Sequence, residues 1–168
     1  MSETEPAQER RGILATIVIV VVVGFILLAG ALRIEPAYAG LLFFWYWAAI
    51  QDARPKAMPS SLLGALLGVG TAALLQAAMR SHQPVAIVAV LILIVVAIAA
   101  DVMRLVPFAI NACFMLFLTI ASAPLIQGHE DFVVVVESIL LSALYFGAIV
   151  LLMGWLQARS ARPPQGAG

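Results

Sequence analysis

The sequence predicts an all-α membrane protein with six transmembrane helices, and three observations lead there. The 168-residue chain is 64% hydrophobic and 11% charged, with a mean hydropathy of +1.08. Soluble domains are nearer half apolar and a quarter charged. Its apolar residues fall into six runs separated by short polar turns. Its basic residues gather on alternate turns, as they do in chains that cross a bilayer repeatedly.

Residues 1–12 are read as a polar cytoplasmic N-terminus, ending in Arg10, Arg11 and a glycine. The first span, 13–32, is rich in Val and Ile, and about 20 apolar residues suffice to cross a hydrocarbon core of about 30 Å. Valine runs favour strands in water, but in lipid a lone segment must satisfy its own backbone, which selects helix. The run is too long for the apolar core of a cleaved signal peptide, so it is read as a retained helix. Arg33-Ile-Glu-Pro36 turns the chain, and Pro36 suits the first turn of the second span, 35–51. That span carries Phe43-Phe-Trp-Tyr-Trp47, expected as an interfacial aromatic belt, with an aromatic binding cage as the second reading.

Asp52–Lys56 is a polar loop, and the third span covers 60–79. Its Gly64, Gly68 and Gly70 are assigned to helix packing, because glycines four apart share a face and admit another backbone. The fourth span, 84–100, is aliphatic and ends at the turn Asp101–Arg104. The fifth, 105–126, is entered through Pro107; a polar hairpin, Gln127–Asp131, leads to the sixth, 132–156. Residues 157–168 are expected to be a disordered cytoplasmic tail. With the N-terminus in the cytoplasm, that side holds Arg10, Arg11, Arg54, Lys56, Arg104, Arg159 and Arg162, and the other only Arg33 and Arg80. Six crossings also return both termini to one side.

Arg33 and Arg104, Pro36 and Pro107, and Phe43 and Phe114 each stand 71 residues apart. Ser61 and Ser138, Leu67 and Leu144, and Gly70 and Gly147 recur at an offset of 77. Two halves of three crossings each would insert in opposite directions, a 3+3 inverted repeat with ligand sites near the midplane. The arginine and proline matches carry this reading; composition alone supplies leucines and glycines.

Six residues are candidates for a solute path: Glu137, Asn111, Thr119, Arg104, Arg33 and Asp101. Glu137 interrupts an apolar run, where an ionisable group is a functional hypothesis by default; the alternative places it in the headgroup region. Asp101 and Arg104 stand three apart and either pair on a helix face or mark the membrane boundary. Arg33 and Arg104 at opposite mouths would attract an anion. Asn111 and Thr119 either bridge helices or line the path. The single cysteine, Cys113, excludes an intrachain disulfide and a cysteine-built metal cluster. No nucleotide-binding glycine loop, His-Glu-x-x-His or nucleophile elbow is present, so neither catalysis, cofactor nor metal is expected. A formal net charge of zero argues against nucleic acid as a partner.

The second span P36-A-Y-A-G-L-L-F-F-W, the third-span S61-L-L-G-A-L-L-G68 and the fifth-span N111-A-C-F-M-L-F-L-T119 together resemble the membrane half of the fusaric-acid-resistance/aromatic-acid-exporter (FUSC-like) family. The chain also looks like small, functionally unassigned bacterial membrane proteins. It departs from the exporter pattern at Ala65, where threonine usually follows the glycine, and lacks the preceding arginine. The resemblance implies a multi-pass protein of the bacterial inner membrane that exports a small anionic or aromatic solute, with lipid around it and a homo-oligomer or larger membrane complex as its assembly. The rival expectation is a non-transporting scaffold or accessory subunit.

Overall fold

The computed structural model describes residues 5–160, and all regular structure among them is helical. In chain order the helices are α1 (Glu5–Ala31), α2 (Ala37–Ile50), α3 (Met58–Arg80), α4 (Pro84–Val102), α5 (Ala112–Ala121), α6 (Pro124–His129) and α7 (Phe132–Ser160); a short 3-10 turn, Pro55–Ala57, leads into α3. Three of these, α3 with its turn, α4 and α7, are long and apolar enough to cross a membrane. The apolar part of α1 (Ala15–Ala31), α2 and α5 are shorter. This is the composition of a membrane-associated helical protein. The expected N-terminal residues 1–4 and tail residues 161–168, Arg162 included, lie outside the described residues. Residues 5–12 belong to α1, and α7 continues through 157–160, where the start of the tail was expected.

The expected fifth span is not one helix. Arg104 has φ 51°, in the left-handed region, and so turns the chain off the end of α4. Residues 103–111 then run without helix past Pro107. Asn111, at φ −145° and ψ 179°, starts α5 as its N-cap, and Pro124 opens the separate helix α6. Proline lacks the N–H that a continuous helix needs, so two prolines divide the run.

Two helix pairs make up the centre. The short helix α5 lies along α3, and the short helix α2 lies along α7, while α3 and α7 touch each other between them. α4 leans on α3, and α1 on α2 and α7. Close approach of α3 and α5 follows from glycine: a Cβ at Gly68 would stand 2.5 Å from the Phe114 carbonyl oxygen, and one at Gly64 would strike the Asn111 side chain. Gly70 faces the other way, with nothing within 4 Å of a Cβ there. On the other pair, a Cβ at Gly40 would stand 2.7 Å from the Ser138 carbonyl oxygen. Phe43, Val69, Cys113, Phe117 and Ile139 fill the main core. Phe25, Trp47 and Phe146 form a second cluster, on which Phe44 stacks with ring centroids 3.8 Å apart. The aromatic belt is thus divided: Trp45 is exposed, whereas Tyr46 and Trp47 are buried, and Trp47 Nε1 donates to the Arg54 carbonyl at 3.0 Å.

Candidate functional site

Where α4 ends, the non-helical segment 103–111 and the ends of two other helices enclose a cavity of about 570 Å³. Its polar side chains are Tyr46 and Gln51 from the end of α2, Asp101 from α4, Arg104 and Asn111, and Ala112 lines it at the start of α5. Ile50, Val102, Pro107 and Ile110 supply the apolar remainder.

Asn111 fixes the geometry. Its Oδ1 accepts from the N–H groups of Cys113 at 2.9 Å and Phe114 at 3.2 Å, an N-cap that begins α5. Its Nδ2 donates to the Ser60 carbonyl at 3.1 Å, which ties that helix start to the start of α3. Gly64 leaves room for this amide. Asn111 thereby satisfies two orphan donors of the first turn and leaves Ala112, at the positive end of the helix dipole, on the cavity wall. Opposite, Gln51 Nε2 donates to Tyr46 Oη at 3.4 Å.

Asp101 and Arg104 both line the cavity without pairing with each other. Among the described residues the one ion pair within 4.0 Å joins Arg54 to Asp52, at 3.8 Å and on the exposed surface. Pairing on a helix face requires both residues on the helix, and α4 ends at Val102. A carboxylate and a guanidinium therefore stand in one polar recess with their hydrogen-bonding capacity toward each other unused.

The structure brings together three of the six candidates, Asp101, Arg104 and Asn111. The other three lie elsewhere. Thr119 is exposed on α5, and its Oγ1 donates to the Met115 carbonyl of its own helix at 2.7 Å. Glu137 is exposed on the outward stripe of α7, with Val133, Leu140 and Leu144, and faces away from the buried Ser138, Ile139 and Ser142. Arg33, at φ 57°, stands between α1 and α2, at the far end of α2 from the cavity. A 14-residue helix separates them by about 21 Å.

Sequence reasoning missed Tyr46 and Gln51 as cavity residues, having assigned one to the belt and the other to a span end. It also missed one buried amide. Gln127, expected in a polar hairpin, is buried in α6, and its carbonyl accepts from Gln76 Nε2 at 2.7 Å. Its signal was the proline three residues earlier, which opens a helix rather than a loop. Among the described residues no three His, Cys, Asp or Glu gather to hold a metal ion.

The helices and the recess define a class, a helical membrane-associated protein with a cavity of mixed polar and apolar lining at one end of its central helices. No protein-family model, curated protein or solved structure matches the chain.

Proposed function

We propose that this protein carries a small polar solute, anionic or aromatic in character, across a membrane, with the cavity at the start of α5 as its binding site. The observation that carries the reading is the wall itself: a guanidinium without an ion-pair partner among the described residues, a helix N-terminus, a carboxamide and a phenol in one recess. Interrupted helices that point a terminus at a solute are the usual architecture of carriers without ATPase modules. Asp101, on the same wall, suits a solute that also offers a donor. In this reading α1, α2 and the broken segment from residue 103 through α5 and α6 complete six crossings. The crosswise pairing of α2 with α7 and α5 with α3 supports a 3+3 inverted repeat. Arg54, Lys56, Arg104 and Arg159 then face the cytoplasm of a bacterial cell, with both termini on that side. The FUSC-like resemblance points to export as the direction, without a catalytic step.

The test is uptake of radiolabelled benzoate and of glycine into proteoliposomes. Arg104→Gln should lower uptake of at least one probe about tenfold or more, since loss of a charge-assisted hydrogen bond is worth ~1.5–3 kcal/mol. Glu137→Gln should leave uptake near the wild-type rate. Uptake of both probes equal to that of empty liposomes would set the carrier reading aside for these solute classes.

A second reading, a scaffold for a larger membrane complex, is favoured by α4. Of its most apolar 18-residue stretch only 6% is buried, so nearly the whole helix is available to lipid or to a partner. Co-purification of a stoichiometric partner that is lost on placing bulky polar residues at Val88 and Val95 would support it.

A further inference from the structure

We infer that the C-terminal end of α5 binds an alkali cation, with Ser122 Oγ and Gln127 Oε1 as its side-chain ligands and water as the rest. Gln127 is 6% exposed, and its Oε1 is buried without a hydrogen-bond partner. The orientation of the amide is fixed by its other end. Nε2 donates to the Ala121 carbonyl at 2.8 Å and to the Ala72 carbonyl at 3.0 Å, so a flipped amide would set oxygen against two carbonyl oxygens. The Gln127 backbone is held as well, by Gln76 at 2.7 Å. Among the described residues, Ser122, the C-cap of α5, carries the other buried side-chain oxygen with no partner. Buried acceptors in native proteins nearly always have a donor or a ligand, and an orphan is costly in a low-dielectric interior.

Ser122 caps the end of α5, Gln127 stands five residues on in α6, and its Nε2 grips the last carbonyl of α5 directly. This is the negative end of the α5 dipole, which favours a cation and repels an anion. The donors are neutral oxygens. A divalent ion draws on carboxylates for its affinity, and the described residues offer no carboxylate cluster. Neutral oxygens at the end of a broken helix are the ligand chemistry of Na⁺ or K⁺. Gln76, which fixes Gln127, lies four residues before the end of α3, so the site is about 6 Å inside that end of the bundle. α5 thus turns its positive end to the polar cavity and its negative end to the cation, about 15 Å apart. The cation site does not depend on the transport reading, because binding can be measured without a solute.

The experiment follows thermal unfolding of the purified full-length protein by tryptophan fluorescence. Choline chloride is replaced stepwise by LiCl, NaCl or KCl at constant ionic strength. At least one alkali cation should raise the midpoint saturably above choline. Ser122→Ala removes an oxygen that makes no hydrogen bond, and should raise the half-saturating concentration of that cation about tenfold; Ser122→Thr, which keeps the Oγ, should restore it. If all three salts match choline, or if Ser122→Ala binds the cation as wild type does, the two oxygens hold buried water and the inference is overturned. The wild-type titration decides the matter even if a variant fails to fold.

Discussion

At the α3–α5 contact the glycines lie on the long helix and the polar side chain on the short one; at the α2–α7 contact this is reversed. Gly64 and Gly68 of α3 receive Asn111 and the first turns of α5. Gly40 of α2 instead receives Ser138 and Ser142 of α7: the Gly40 N–H donates to Ser138 Oγ at 3.1 Å, and Ser142 Oγ donates to the Gly40 carbonyl at 2.6 Å. Both contacts bring backbones close and put polar atoms where lipid could not serve them. They differ in what each short helix needs. α5 is capped by its own flanking residue, whereas Pro36 gives α2 no side-chain cap and its first turn donates a hydrogen bond to a serine 98 residues away. The start of α5 is written locally; that of α2 depends on α7 being in place.

The largest break in this comparison should come from Gly68→Val, which drives a branched side chain into the Phe114 carbonyl. A loss of about 3 kcal/mol is expected, at the top of the overpacking range because the neighbour is backbone. It would be read as a collapse of the thermal midpoint and of monodisperse yield in detergent. Asn111→Ala should cost about 1–2 kcal/mol through the lost cap and the lost bond to Ser60, while Asn111→Asp should recover the cap alone. Hydrogen exchange of the α5 amides distinguishes the two, and equal protection in both variants would deny the cap its role. Ser138→Ala should cost about 1 kcal/mol and loosen the start of α2 while leaving α5 protected. Loosening of both helices together would mean that the contacts are not separable. The smallest effect is opposite in sign: Gly70→Ala meets open space and should stabilise by about 0.5–1 kcal/mol, visible as a small rise in the unfolding midpoint.

Much of the site was legible as residue types without being legible as a place. Asp101, Arg104 and Asn111 stand out because charge and amide are rare in such a chain, and they do share a cavity. Glu137 stands out for the same reason, yet it faces away from the core. Rarity marks a residue as costly; it does not say which way the residue faces. Gln127 and Trp47 mislead in the opposite direction, since a polar amide near a loop and an aromatic near a span end usually stay wet. Here each finds carbonyl partners: Gln127 those of Ala121 and the distant Ala72, in the interior, and Trp47 that of Arg54, across the turn after α2.

By itself the sequence determined that the chain is helical and membrane-associated, because long apolar segments in lipid must close their own hydrogen bonds. It also marked the interruption at Pro36, since proline cannot donate; the breaks at Pro107 and Pro124 fell inside a run read as one span. Tertiary structure decided where α5 begins, which helices pair and which face of each turns inward. A helix that is apolar on all sides carries no preferred face of its own. Only the neighbours it meets, through glycine notches and a few buried hydrogen bonds, choose one.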